Sequence, residues 1–424
     1  VEKNIMNAFI QELKHRGLVS QMTDETKISE LMDNGLSLYC GFDPTAESLH
    51  VGSLLPLITM LRFKKAGHTV FPLIGGATGM IGDPSFKAQE RTLNDAETVN
   101  RFKAGIAGQI KHILGDVELV DNHDWTVNLS VIDFLRDVGK HFSVNAMMSK
   151  DSVRSRLDRD DQGISFTEFS YQLLQSMDFH HLMKEKNCRL QLGGSDQWGN
   201  ITAGIDLIHR KEGNDVVATG LTIPLLTKAD GTKFGKSESG AVWLSSEMTS
   251  PFDFFQFWLK VADADIPKFF KMLSFKSIEE IDAILEADKE RTKPMAQQLL
   301  AEELTVIVHG QAALDSVLRN INALFDNNFD SLQEDDFVNL EKNGMVAVVP
   351  ETLNVLDLMV ATGLAKSKRQ GREFIQSGAV QVNGNKLVVS EDDMNALEIT
   401  DFKFGKFAVF QRGKREFRLI KKPA

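Results

Sequence analysis

The chain has 424 residues, of which 42% are hydrophobic and 25% charged, with a formal net charge of −11. This is the ordinary balance of a soluble globular protein, and the length exceeds the ~250–300 residues at which single cores stop growing, so two or three domains are expected. No apolar run approaches the ~20 residues of a membrane-spanning helix, which excludes an integral helical membrane protein. Val1 to Arg16 is amphipathic and mixed in charge, without the apolar centre of a signal peptide. Cys40 and Cys188 show no metal-ligand spacing, and so few cysteines suit a reducing compartment, so a cytoplasmic protein without a membrane partner is expected. An acidic chain argues against a nucleic-acid partner until its distribution of charge is read. From Phe402 to Ala424 eight Lys and Arg face one acid, Glu416, and Lys366, Lys368, Arg369 and Arg372 lie just before. Local binding to a polyanion and a solvated basic tail both fit that pattern.

In chain order, Leu36 to Cys40 and Thr69 to Ile74 read as buried strands, and Leu54 to Ala66 between them carries apolar residues at helical spacing. Strand, helix, strand implies a parallel sheet. Arg189 to Leu192 and Leu221 to Leu226 extend it, although Pro224 argues against a central place for the last. The first ~225 residues are therefore expected to form an open α/β domain. From Ser250 to about Phe325 the pattern is helical, with starts at Ser277-Ile-Glu-Glu280 and Lys293-Pro294. Residues 326–350 are acidic, Asn-rich and weakly periodic, and read as a linker. Short helices over Leu353–Ala361 and Lys368–Ser377 follow. Then come a hairpin of Ala379–Val382 and Lys386–Val389 about Asn383-Gly384, and a strand pair of Ala408–Phe410 with Phe417–Ile420. The expected domains are 1–247, a helical 248–325, the linker, and an α+β module over 351–424.

Two segments carry chemistry. Gly41-Phe-Asp43-Pro-Thr45-Ala-Glu-Ser-Leu-His50-Val-Gly52-Ser53 leaves a strand and enters a helix, where backbone N–H groups converge on an anion. Thr45 and His50 add donors, and Gly52 lets a flat base approach; a plain helix cap would look the same. Lys233-Phe-Gly-Lys236-Ser237, flanked by Asp230-Gly231 and Gly240, sets two lysines in a Gly-rich loop suited to charge that moves during reaction; alone, it is also an ordinary surface loop.

The pair, in this order in an α/β domain, resembles the signature of the class I aminoacyl-tRNA synthetases. Tyr39-Cys-Gly-Phe-Asp-Pro-Thr45, Gly79-Met-Ile-Gly-Asp83-Pro-Ser85, Phe169-Ser-Tyr171-Gln-Leu-Leu-Gln175 and Gly193-Gly-Ser-Asp196-Gln-Trp-Gly-Asn200 narrow the resemblance to the bacterial-type tyrosyl-tRNA synthetases. The C-terminal module resembles an S4-type RNA-binding domain. This implies a Rossmann-like catalytic domain, a helical domain and an S4-like domain, with tyrosine, ATP with Mg²⁺ and tRNA(Tyr) as partners of a homodimer. One departure stands out: Ser53 occupies the place of the family's second His, and a serine is shorter and never cationic.

The resemblance also implies roles. Tyr39 and Asp178 contact the substrate phenol, and Asp83, Tyr171 and Gln175 hold its ammonium. Thr45 and His50 meet the leaving phosphates, over which Lys87, Arg91, Lys233, Lys236 and Ser237 close. Gly41, Asp43, Gly52, Ser53, Asp196 and Gln197 hold nucleotide and adenylate. His209, Arg210 and Lys211 stand at the acceptor-stem contacts. Lys368, Arg369, Arg372, Arg412, Lys414 and Arg415 supply the basic C-terminal face. No built-in metal cage is expected. The residues agree in two respects: the chain has only two tyrosines against 28 phenylalanines, both within the quoted motifs. Tyr171, Gln175 and Asp178 share one face if they lie on a helix. Apolar residues around Phe134 and Phe142 suit either a subunit interface or a buried core helix. A tryptophan-specific relative shares both loops, and Tyr39 with Asp178 opposes it. A synthetase-like RNA-binding or splicing factor without activation is the other alternative; Ser53 favours it and the Lys233–Ser237 loop opposes it.

Overall fold

The computed structural model describes residues 7–83, 85, 95–150, 153–154, 163–237, 240–291, 295–326, 329–342, 346–348, 354–390, 394, 398–413 and 416–422, with backbone alone for 236–237, 324–326, 330, 342 and 346–348. The chain divides into two compact units, one of 1–248 with 257–304 and one of 249–256 with 305–424.

The first unit is built on a six-stranded sheet of β1 (Gln21–Met22), β2 (Ser37–Phe42), β3 (Thr69–Ile74), β4 (Val120–Asp121), β5 (Leu190–Gly194) and β6 (Thr219–Ile223), in the order β1-β6-β5-β2-β3-β4. All pairs are parallel except β1 with β6. The four strands expected from apolar runs are present. Pro224 is accommodated because β6 ends at Ile223, and β6 is not an edge only because the two-residue β1 covers it. Strands β1 and β4 are too short to leave a periodic signal, as are β7 (Lys236–Ser237) and β8 (Gly240–Ala241), which pair antiparallel outside this sheet.

The crossover helix Leu54–Lys65 buries eight of its twelve residues, as a helix between sheet and further helices must. On the sheet's other side lie the Phe166–Lys186 and Trp198–Glu212 helices, whose Phe179, Leu182, Ile201, Ile205 and Ile208 share a core with Tyr39, Phe71 and Leu73. Ser165 caps the first of these, its hydroxyl accepting from Glu168 N at 3.2 Å, and Asn187 ends it at φ 50°. The two helices approach closely at Gly204, where a Cβ would meet the Phe179 ring at 3.1 Å.

Further helices follow at Pro251–Leu259, Ile266–Leu273, Ile278–Asp288, Met295–His309 and Gln311–Asp326, as the helical pattern predicts. Ser277 and Glu280 form the expected capping box. The expected start at Lys293-Pro294 lies outside the described residues.

Two buried arginines, Arg16 at the end of the Ala8–His15 helix and Arg62 on the Leu54–Lys65 helix, reach the end of Ile266–Leu273. Arg16 donates to the carbonyls of Lys271 and Ser274, both at 3.1 Å, and of Lys276 at 2.7 Å; Arg62 donates to Ser274 O as well. Cations belong at a helix C-terminus, where carbonyls lack partners. Burial, and then the neighbouring Arg16, push the Arg62 guanidinium down to about 9, against the pull of Glu12 and Glu303, so it stays charged at neutral pH.

The second unit holds a five-stranded sheet of β9 (Val346–Val348), β10 (Val380–Val382), β11 (Asn385–Lys386), β12 (Phe407–Arg412) and β13 (Glu416–Lys421), ordered β11-β10-β12-β13-β9, with β9 parallel to β13 and the rest antiparallel. The Asn383-Gly384 hairpin has both residues at positive φ, 50° and 83°, as a two-residue turn of opposite twist requires. Its second strand is shorter than expected. It ends at Lys386, beyond which Leu387 N still donates to Val380 O at 3.0 Å, and Val388 is 87% exposed. The stretch 326–350 holds a 3₁₀ turn (Phe329–Ser331), a helix (Glu334–Lys342) and β9. Its polar composition conceals four apolar residues, Phe329, Leu332, Phe337 and Leu340, all buried with Phe407, Val409 and Leu419. Asp336 in that helix accepts from Arg319 through both oxygens at 2.9 and 3.0 Å.

Replacing Arg16 by Met leaves the carbonyls of Lys271 and Lys276 without this donor. The expected loss is about 3 kcal/mol, read as a lower calorimetric unfolding midpoint of the first unit. Glu12→Gln, at a half-exposed pair, costs less than about 1 kcal/mol. Equal effects of the two would remove the role assigned to Arg16.

Candidate active site

Strands β2 and β3 run outward to one side of the sheet and β5 and β6 to the other. The switch between β2 and β5 opens a crevice beyond their carboxyl ends. A cleft of about 550 Å³ lies there. It is lined by Tyr39, Gly41, Asp43, Thr45, His50, Gly52, Ser53, Asp83, Tyr171, Gln175, Asp178, Asp196, Gln197 and Lys233. Every motif residue proposed for tyrosine or nucleotide and described with its side chain therefore reaches one cavity. Lys87 and Arg91 lie outside the described residues, as do the side chains of Lys236 and Ser237.

The floor is the Phe166–Lys186 helix, which presents Tyr171, Gln175 and Asp178 together, as their spacing predicts. Asp178 is 2% exposed and accepts from Asn122 Nδ2 at 2.9 Å and from Trp125 Nε1 at 2.8 Å. Burial pushes its carboxyl up to about 7, and these two hydrogen bonds work against burial. Beside it stands the buried Tyr39, whose hydroxyl has no hydrogen-bond partner among the described residues; burial, then the charge of Asp178, push that phenol well above its ordinary value. The side-chain oxygens of Gln175 and Gln191 are likewise buried without partners among the described residues. Three such atoms lining one cleft mark a place for a polar ligand, since buried polar groups are normally paired.

A hydrogen-bond chain links this end to the next. Asn122 Nδ2 also donates to Thr78 Oγ1 at 3.0 Å, Thr78 Oγ1 donates to Asp43 Oδ1 at 2.7 Å, and Tyr171 donates to Asp43 Oδ2 at 2.8 Å. The close approach is possible because residue 75 is glycine: a Cβ there would lie 2.0 Å from Asp43 Oδ1. Asp83 accepts from Gln197 Nε2 at 2.8 Å and from Ser85 Oγ at 2.7 Å. Burial, then Asp83, raise the carboxyl of Asp196. Four carboxylates, Asp43, Asp83, Asp178 and Asp196, thus face the same end, an arrangement suited to a ligand carrying a cation. Thr78, Asn122 and Trp125 escape sequence reading, because nothing in the residues after β3 and β4 announces which carboxylate they serve, and Gln191 escapes it as one polar residue within the β5 strand.

At the other end His50 opens a 3₁₀ turn, Val51–Ser53, leading into the Leu54–Lys65 helix. The Gly52 N–H expected to face an anion instead donates to His50 Nδ1 at 2.9 Å. The ring sits so close that a Cβ at Gly52 would meet it at 2.5 Å. Desolvation in the cleft holds the imidazole below its ordinary value. Ser53 lines the cleft and makes no capping bond. Lys233 is exposed at the rim, while Phe234 anchors its loop among Phe257, Trp258 and Phe269 at ring distances of 4.9, 5.4 and 4.4 Å.

The residues proposed for RNA lie elsewhere. Lys211 and Arg210 end the Trp198–Glu212 helix, and Arg210 donates to His141 O. In the second unit Lys368, Arg369 and Arg372 lie on the Lys368–Gln376 helix, with Lys368 near Asp357 at 2.6 Å and Arg369 near Glu373 at 3.3 Å. Such exposed pairs are weak and readily exchanged for phosphates. Arg412 is drawn into packing, donating to Leu364 O at 2.7 Å and lying 4.6 Å from the Phe374 ring centroid. Lys414 and Arg415 lie outside the described residues.

Comparison with known proteins agrees with this architecture. A family model described as tRNA synthetases class I (W and Y) matches residues 32–326, and one described as the tyrosine–tRNA ligase SYY-like C-terminal domain matches residues 338–420. The tyrosine–tRNA ligase of Neisseria meningitidis serogroup A is 51% identical over 427 residues, covering 97% of this chain and 99% of that protein. That of Chromobacterium violaceum is 49% identical over 422 residues, covering 97% and 98%. The solved structure of a C-terminally truncated mitochondrial tyrosyl-tRNA synthetase from Aspergillus nidulans superimposes with a TM-score of 0.67 at 30% identity, covering 75% of this chain and 94% of that one. The tyrosyl-tRNA synthetase of Archaeoglobus fulgidus complexed with L-tyrosine, at TM-score 0.53 and 15% identity over 72% of this chain and 99% of that one, shows the common fold alone. Matched in family over most of its length, and in relatives over nearly all of it, the chain belongs to the class I tRNA synthetases and, among them, to the tyrosine–tRNA ligases.

Proposed function

We propose that this cleft activates L-tyrosine with Mg·ATP and that the chain then passes the tyrosyl group to the 3′ end of tRNA(Tyr). The observation that carries the reading is Asp178: a buried carboxylate with donors on two sides, beside an unpartnered Tyr39 hydroxyl, at the closed end of the cleft. A phenol donating to Asp178 and accepting from Tyr39 satisfies both, and phenylalanine leaves both unpaired. The ammonium group belongs among Asp83, Tyr171 and Gln175, where the carboxylates gather.

The substrate carboxylate is already ionised and needs no general base. Its oxygen forms a bond to the α-phosphorus while the bond from that phosphorus to the bridging oxygen breaks, and pyrophosphate leaves with the electron pair. Thr45 and His50 meet the departing phosphates, with Lys87, Arg91, Lys233, Lys236 and Ser237 closing over them. Gly41, Asp43, Gly52, Ser53, Asp196 and Gln197 hold nucleotide and adenylate. Mg²⁺ enters as part of the nucleotide substrate. Positioning and charge stabilisation supply the rate. Ser53 offers one neutral hydrogen bond where a histidine would offer more, a difference of about 0.5–1.5 kcal/mol, which slows activation without abolishing it. In the second step the tRNA 3′-terminal hydroxyl attacks the tyrosyl carbonyl and AMP leaves. Arg210 and Lys211 face the acceptor stem, the helices of 248–325 contact the tRNA further along, and the 351–424 module grips phosphates through Lys368, Arg369, Arg372, Arg412, Lys414 and Arg415.

A cytoplasmic homodimer completes the proposal, supported by two free buried cysteines and by an apolar face. The Val131–Asp137 helix turns Phe134 toward a core with Val138 and Leu173, yet leaves Val131, Ile132 and Leu135 exposed at 72%, 69% and 50%. An exposed apolar group of that kind suits a subunit contact.

Pyrophosphate exchange with each amino acid should occur with tyrosine alone, and Asp178→Ala should lower it by at least about a hundredfold, since a charged acceptor is lost, in a protein that keeps its circular dichroism. Full activity of that variant would move the phenol contact elsewhere. Because a donating phenol favours the ionised carboxylate, tyrosine affinity should rise as pH increases through about 7 and weaken below it. A dissociation constant flat from pH 6 to 8 would contradict this. Charging the apolar face with Ile132→Asp and Leu135→Asp should convert a sedimenting dimer to monomer. A wild-type protein that sediments as a monomer would end the dimer proposal.

A further inference from the structure

The two glycine-containing segments at the phosphate end of the cleft are joined. Val51 N donates to Val242 O at 2.9 Å and Leu244 N donates to Leu49 O at 2.8 Å. Residues 49–51 and 242–244 thus form a short antiparallel pair, with His50 opposite Trp243. On the far side, Val242 N donates to Gly235 O at 3.1 Å, and a Cβ at Gly235 would lie 3.7 Å from Gly52 N. Residues directly opposite in such a pair project to the same face. The imidazole and the indole meet edge to face, with centroids 6.3 Å apart and planes at 67°, and both side chains line the cleft.

We infer that Trp243 is a positioning residue for His50, setting the aim of the imidazole and tying it to the position of the lysine-bearing loop. Gly52 N–H holds the ring at Nδ1, which leaves Nε2 as the polar atom for a ligand. A single hydrogen bond to one ring nitrogen permits rocking about it, and the indole blocks that rocking from the side. Trp243 also lies two residues past the hairpin of Lys236–Ser237 with Gly240–Ala241, so the indole and the lysine-bearing loop share one short segment. The inference depends on the activation reading, because only there does His50 touch a reacting group. Its effect belongs to the transition state, so it raises the rate of adenylate formation and leaves tyrosine binding alone.

The test is single-turnover formation of tyrosyl-adenylate, with tyrosine binding measured separately by equilibrium dialysis. Trp243→Ala should slow the step by roughly tenfold, near the upper end of what one aromatic pair supplies, with the tyrosine dissociation constant unchanged. Trp243→Phe should recover most of the rate, whereas Trp243→Leu, which keeps an apolar side chain without the ring, should not. His50→Asn should cost a smaller factor in the Trp243→Ala background than in the wild type, the mark of two residues acting as one. A wild-type rate in both Ala and Leu variants, equal factors for His50→Asn in the two backgrounds, or a loss confined to tyrosine affinity would each overturn the inference while leaving activation intact. A wild-type protein that forms no adenylate would overturn the activation reading, and this inference with it.

Discussion

Parallel pairing of β2 with β3 on one side and β5 on the other is the constraint on which the site depends. Parallel strands deliver their carboxyl ends to one edge, and a chain that leaves the central strand in both directions cannot close that edge with crossovers. The loops after β2, β3, β5 and β6 therefore converge, bringing together Asp43, Thr78, Asp196 and Leu225. Helices on both faces bury the strands between them, and this rigid frame lets short loops hold carboxylates within hydrogen-bonding reach of Thr78, Asn122 and Tyr171.

Placing four aspartates at one end of a cleft is costly, because like charges and burial both oppose ionisation. The structure answers with neutral donors. Asn122 and Trp125 serve Asp178, Thr78 and Tyr171 serve Asp43, and Gln197 serves Asp83. None of these donors cancels charge, so the field that draws an ammonium group survives. Unpartnered oxygens on Tyr39, Gln175 and Gln191 are the complementary cost, borne until a ligand with its own polar groups arrives. Stability and recognition are opposed here, as is usual where a site must be ready before its ligand binds.

The end proposed to take the phosphates follows a different rule. Its groups, His50, Ser53 and Lys233, are neutral or exposed, and they sit on segments held by a few backbone hydrogen bonds and by the aromatic anchor of Phe234. Charge that develops only during reaction is met by groups that can come to it. One rigid, acidic end and one adjustable, basic end is the arrangement that a zwitterion reacting with a polyanion requires.

Much of this was legible in the residues alone. Apolar runs marked β2 and β3, and the shorter Leu-Gln-Leu and Leu-Thr-Ile stretches marked β5 and β6. Asn383-Gly384 marked its hairpin, because only such residues tolerate the turn, and the spacing of Tyr171, Gln175 and Asp178 marked one helical face. Three things required the tertiary structure. The stretch 326–350 holds a helix because Phe329, Leu332, Phe337 and Leu340 meet partners roughly seventy to ninety residues away, and a strand because Val346–Val348 pairs with β13, which no local period can reveal. The Gly52 N–H turns to His50 rather than to the cleft because of how the ring packs. The service of Asn122 and Trp125 to Asp178, more than fifty residues distant, was decided by strand order, and the meeting of Trp243 with His50 by an isolated bridge outside the sheet. Sequence thus determined which side chains this protein brings to its chemistry and on which local elements they ride. Only the folded sheet decided which of them meet, because hydrogen bonds and ring contacts act over a few ångströms in space and carry no trace along the chain.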